Sequence, residues 1–169
     1  MKIFNRIGFI LTLVILLSSS SVAFAKYYKD NKVTLRDLKG VGVLIEYLKP
    51  EIRKDGLTEG QIKTDVTLKL KSAGIKVLSD EESKTSSGKP FLYVNANIAK
   101  LSNNKSYVYS ISAELKQTVR LRRDITISSS AITWGSGSVG MAFDINFIRT
   151  SIKDLIDDFI NAYLTVNPK

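Results

Sequence analysis

The sequence predicts an α+β fold: a two-layer sandwich whose curved, mainly antiparallel sheet of about five strands carries two helices on one face. Three observations predict it. From Tyr107 to Leu121 apolar and polar residues alternate, the pattern of a strand with one buried and one wet face. From Ile145 onward apolar residues recur every three or four positions, the pattern of an amphipathic helix. Between Gly40 and Leu78 two short runs rich in branched apolar residues flank a helical stretch, the order strand, helix, strand.

The chain opens with the parts of an export signal. Lys2 and Arg6 supply positive charge, Ile7 to Leu17 is nearly all apolar, and Ala23-Phe24-Ala25 has the small-x-small form that signal peptidase reads. The apolar run falls well short of the ~20 residues a spanning helix needs. Residues 1–25 are therefore expected to be a cleaved signal peptide. Residues 26–169 are expected to form a single domain with no further transmembrane segment, residues 26–39 being a loose N-terminal segment.

Val41 to Leu48, bounded by Gly40 and Pro50, reads as a buried strand, followed by a turn at Lys54-Asp55-Gly56. Thr58 and Gln61 have capping-box spacing, and Ile62, Val66, Leu70 and Ala73 fall on one helical face. Gly74 stands where the helix must end with φ > 0. Ile75 to Leu78 is expected as a second strand, joined to the first by a right-handed crossover. Asp80 to Lys89 is a polar loop with room for one helical turn. Phe91 to Leu101 is the next strand, and Ser102 to Lys105 has turn composition.

The Tyr107–Leu121 strand places Tyr107, Tyr109, Ile111, Ala113, Leu115, Val119 and Leu121 on one face. At ~3.3 Å per residue it would span ~50 Å, so a bend or bulge is expected near Gln117. A turn at Arg123-Asp124 leads into a returning strand over Ile125 to Val139. In the last helix Ile148, Ile152, Leu155, Phe159 and Tyr163 form the apolar stripe, with Asp144 as N-cap and Pro168 beyond the end.

Composition narrows the chemistry. The chain has no histidine and no cysteine, which removes disulfides and the usual ligands of zinc, copper and haem. Ser-His-Asp and Cys-His catalysis are excluded. No metal or other cofactor is expected. The formal charge is +9, and loss of Lys2 and Arg6 with the leader lowers it by two.

Lys116, Arg120 and Arg122 share the wet face of the longest strand, and Arg123 stands at its end. Cations ~7 Å apart along a strand match phosphates or sulfates of a polyanion. Arginine contacts such groups in bidentate fashion. These four residues are the candidate ligand site; its competing reading is a solvated face whose charges deter edge pairing.

Other signals favour plain structural roles. Gly135-Ser136-Gly137-Ser138-Val139-Gly140 matches a dinucleotide-binding motif by letter, but no strand follows the next helix, so the glycines are expected in a strand or its exit turn. Tyr107, Tyr109 and Trp134 are expected to pack rather than line a pocket. Asp154, Asp157 and Asp158 are expected to be solvated carboxylates on a helix. Asn104-Lys105-Ser106 has the form of a glycosylation acceptor, relevant only to a eukaryotic source.

The stretch from Gly56 to Leu78, with Pro90-Phe91-Leu92-Tyr93-Val94 and the ending Phe159-Ile160-Asn161-Ala162-Tyr163-Leu164, is similar to small exported bacterial, periplasmic proteins of unassigned function. The order of elements also resembles periplasmic α/β sandwiches that assist outer-membrane assembly or transport. The resemblances bring no catalytic or binding residues; the export signal, the composition and the basic face lead to the expectation of a periplasmic or secreted, non-catalytic accessory or binding protein of the cell envelope, with an envelope protein or anionic envelope component as partner. Nucleic acid is not expected as a partner, because the chain is exported and its basic face has no interleaved aromatics. The alternatives are a carrier or sensor of an anionic envelope ligand using the basic face, and a hydrolase that works with carboxylates alone.

Overall fold

A computed structural model describes residues 31–102 and 106–168, together with the backbone of residues 25–29. The expected leader up to Phe24 and the Asn104-Lys105-Ser106 turn, apart from Ser106, lie outside the described residues.

The strands are β1 (Ala25–Lys29), β2 (Gly42–Ile45), β3 (Phe91–Lys100), β4 (Tyr107–Leu121) and β5 (Asp124–Ala142). The helices are α1 (Pro50–Lys54), α2 (Glu59–Ser72), α3 (Asp80–Thr85) and α4 (Ile145–Val166), with a 3-10 turn at Lys32–Leu35. The body of the sheet has the order β5-β4-β3-β2, and β1 lies antiparallel along the free edge of β5. β3, β4 and β5 are antiparallel neighbours, whereas β2 runs parallel to β3.

The α+β class holds, and the layout differs from expectation in detail. Two short helices join the two long ones. Ile75 to Leu78 does not form a strand of the sheet: a single parallel bridge joins Val41 to Val77. The parallel partner of β2 is β3, so the crossover runs through α1, α2 and α3 before it returns. Residues 26–39 are not a loose segment, since β1 and the 3-10 turn both lie there and Leu35 is fully buried. β2 is also shorter than Val41–Leu48: it ends at Ile45, and Pro50 opens α1.

The core forms between the sheet and the two long helices. Tyr107, Tyr109, Ile111, Ala113 and Leu115 of β4 are buried, while Val108 and Ser110 between them are exposed. α4 lies on that face, burying Ile148, Ile152, Leu155, Ile156 and Phe159. Its apolar stripe repeats as helical geometry requires, and Asp144 caps its start by accepting from the Asn146 amide at 2.9 Å. α2 packs beside it through Ile62, Val66 and Leu70, and opens with the expected capping box. Gly74 follows at φ 78°, the left-handed turn that releases the chain toward Val77.

Trp134 and Phe159 meet edge to face with ring centroids 5.2 Å apart at the centre of this layer. Tyr107 and Tyr109 are packed into the same core. Neither long helix crosses to the other face of the sheet. Among the described residues no helix is long and apolar enough to cross a membrane.

Candidate functional site

The register of β4 and β5 creates the most distinctive feature of the surface. Leu115 pairs with Trp134, but Lys116 pairs with Ile132, so Thr133 is the extra residue of a bulge. The bend expected near Gln117 is therefore next to it, one pair away. Gln117 Nε2 ties the bulge to the body of the domain, donating to Thr133 Oγ1 at 2.8 Å and to the Thr34 carbonyl at 3.2 Å.

Beyond the bulge the two strands leave the helical layer. Pairing continues from Thr118 with Ser130 to Arg120 with Ser128, and a second irregularity precedes the Arg122-Arg123 turn. Ile125, Thr126, Ile127, Ser128, Ser129 and Ser130 are all exposed. This is a projecting two-stranded arm. Three residue steps past Thr118 carry it ~10 Å outward.

The structure divides the four candidate cations between two places. Lys116 lies at the foot of the arm, its ammonium 3.6 Å from the centroid of the Tyr93 ring and 3.8 Å from Glu114 Oε2. It is held in place by its own neighbours. Arg120, Arg122 and Arg123 are exposed along the arm and at its turn. None of these three guanidinium groups forms an ion pair among the described residues. Asp124, the carboxylate next to them, accepts from the hydroxyl of Thr126 at 2.6 Å and from its amide at 3.0 Å. Those bonds hold its carboxyl below the usual range, the hydroxyl first. The arm turn thus carries three positive charges against one negative.

Two further cations join this face, and sequence spacing alone does not place them. The Thr118 amide donates to the Gly88 carbonyl at 2.7 Å, fastening the α3–β3 loop against the foot of the arm. A cleft of about 280 Å³ opens there, lined by Ser83, Lys84, Lys89, Phe91, Thr118 and Ser130. A second cleft of about 200 Å³ shares Ser83, Lys84 and Phe91 and continues along β2 past Gly42 and Leu44. By strand alternation Thr118 and Ser130 share the face of Lys116 and Arg120. Hydroxyls, the Phe91 and Tyr93 rings and a set of ammonium and guanidinium groups are therefore brought to one side of the sheet, with Asp80 and Glu114 among them. Such a set accepts anionic oxygen.

Farther along the same face Asn95 Oδ1 is buried and accepts no hydrogen bond among the described residues. Val108, Val139 and Met141 are exposed toward its other end.

The remaining candidates have structural partners. The glycine-rich stretch lies inside β5, between β1 and β4, and is not a turn. A Cβ at Gly137 would stand 3.1 Å from the Ile111 carbonyl oxygen, so close strand packing accounts for the glycine. Asp157 pairs with Lys69, and Asp158 accepts from the buried Ser136 hydroxyl at 2.7 Å. These two are not merely solvated, as sequence reasoning held; only Asp154 is exposed. Asp65 takes Arg149 in a bidentate pair at 2.7 and 3.0 Å, with Lys153 at 3.5 Å. Asp55 binds Lys100 at 2.8 and 2.9 Å and accepts from the Tyr107 hydroxyl at 2.8 Å. Lys100 is the main reason the Asp55 carboxyl lies below its usual range. Among the described residues no group of acidic side chains is placed to hold a metal ion.

No family model matches the chain, and no curated protein does. The resemblance to small exported proteins of unassigned function thus gains no family assignment. Among solved structures, the dodecamer of a PelC variant from Paraburkholderia phytofirmans is similar, with a TM-score of 0.44 and 11% identity. That match covers 79% of this chain and 96% of the other. A likeness of this degree carries no argument about function.

Proposed function

We propose that the chain is a non-catalytic accessory or binding protein of the bacterial cell envelope, exported by its leader, and that it engages an anionic envelope component through the β4–β5 arm. One observation carries the reading: Arg120, Arg122 and Arg123 stand exposed on a projecting ribbon without carboxylate partners among the described residues. Buried or paired charges serve the fold, whereas a cluster of like charges held out from the domain repels itself and is relieved by an anion. In the body, by contrast, Asp157, Asp158, Asp65 and Asp55 are held by Lys69, Ser136, Arg149 and Lys100.

The test is capture from native envelope by the exported form of the protein, with bound protein and lipid identified by mass spectrometry. Arg120→Glu/Arg122→Glu is run in parallel. Captured material should fall about tenfold or more in the variant at ~0.15 M salt, and the difference should shrink at ~1 M, where charges are screened within ~3 Å. Both proteins should melt together. Equal capture by the two would remove the arm from the binding surface.

A further inference from the structure

The arm carries more than charge. Ile125 is 67% exposed and Ile127 is 44% exposed. One wet isoleucine is ordinary on a protein surface. Here two of them flank Thr126 in the stretch between Asp124 and Ser128, where the register leaves β5 without partners on β4. They lie at the end of a ribbon whose other exposed residues are arginine, threonine and serine, with Asp124 the one carboxylate among them. Thr126 between them is tied back to Asp124 by two hydrogen bonds, so this pair of side chains is presented by a fixed turn.

Shape and charge together select the occupant. The tip is convex, and the clefts beside it lie at the foot of the arm, lined by Lys89, Phe91, Thr118 and Ser130. A convex apolar point needs a soft or concave acceptor. Branched apolar side chains flanked by arginines match the interface of an anionic bilayer, where guanidinium groups meet lipid phosphates and the apolar groups enter the region just beneath. We propose that the arm tip docks on anionic membrane, with Arg120, Arg122 and Arg123 on headgroup phosphates and Ile125 and Ile127 inserted between them. This rests on the envelope-binding reading above and names its partner as lipid.

The experiment uses the protein expressed from its full sequence and recovered in exported form, so that all variants share one N-terminus. Sedimentation is measured with vesicles of equal parts phosphatidylglycerol and phosphatidylcholine, and with phosphatidylcholine alone. Wild type should bind the anionic vesicles and not the neutral ones. Arg120→Glu/Arg122→Glu and Ile125→Ser/Ile127→Ser should each weaken binding about tenfold or more without lowering the melting temperature. Ile125→Trp gives a direct readout, because the one native tryptophan, Trp134, is buried and supplies a constant background. Its added emission should shift to the blue on anionic vesicles and be quenched by brominated lipid chains.

Three results would overturn the inference. Anionic binding untouched by Ile125→Ser/Ile127→Ser would mean contact with charge alone and no insertion. An oligomer that the same variant converts to monomer would mean that the tip covers a second copy. Absence of vesicle binding beside an arm-dependent protein partner in the envelope capture would sink the lipid assignment and leave the binding reading standing.

Discussion

Two residues show how local chemistry supports the fold. Asp65 on α2 and Arg149 on α4 join the two long helices through a bidentate pair. The Arg149 hydrogen bond is the chief reason the Asp65 carboxyl lies below its usual range. Because the folded value is the lower one, the stabilisation is fully present above an unfolded value of about 3.9 and is lost as the pH falls through the folded value. Asp65→Asn should therefore lower stability by about 1–2 kcal/mol at neutral pH. The gap from wild type should close in acid, as read from urea unfolding across pH; a gap independent of pH would assign the loss to packing. Gly40 makes the opposite kind of demand, for space. Its φ is 152°, and a Cβ there would lie 2.6 Å from the Lys76 carbonyl oxygen. Gly40→Ala should cost about 1–3 kcal/mol and lower the melting temperature accordingly. An unchanged melting temperature would show that the Val41–Val77 bridge can shift. At this scale the sequence was legible where a residue acts on near neighbours, as with Thr58, Gln61 and Gly74. The partners of Asp65 and Asp158 were hidden, because nothing in spacing tells which helix face meets which strand.

Elements were legible in proportion to their periodicity. The β4 alternation from Tyr107 to Leu115 and the α4 stripe from Ile148 to Phe159 were readable because each repeats one face over several turns or steps. Phe159 anchors the pair of layers, being fully buried against Trp134. Phe159→Ala should destabilise by about 3–5 kcal/mol in denaturant unfolding, and a loss below ~1 kcal/mol would mean that the α4 stripe is not the core contact described. Short runs misled. Ile75 to Leu78 has strand composition, yet it contributes one bridge, because Lys76 and Val77 meet the chain only beside Gly40 and Val41. The arm was visible in part: the length of β4 called for a bulge. That the strands would pass beyond the helices was not readable, since it depends on where α2 and α4 end in space. Lys84 and Lys89 joined the basic face for the same reason, through the Thr118–Gly88 hydrogen bond.

For the whole molecule, charge, export and the arm form one chain of reasoning. A formal charge of +9, no cysteine and a leader-like N-terminus belong to the sequence. The structure adds a body in which Lys69, Lys100 and Arg149 are paired with carboxylates, and an arm whose arginines are not. N-terminal sequencing of the exported protein should begin at Lys26, the second residue of β1. A retained leader would change the account from a released protein to a tethered one. The central claim, that the arm carries binding while the body carries stability, is tested most directly by shortening the arm. Thr118 and Ser130 are paired across the two strands. An Asn-Gly turn can therefore join them in place of residues 119–129 without breaking the bulge or the loop contact at Gly88. The shortened protein should melt within a few degrees of wild type and lose envelope capture by about tenfold or more at ~0.15 M salt. Full capture by a folded, armless protein would contradict the account and move the site onto the body of the domain.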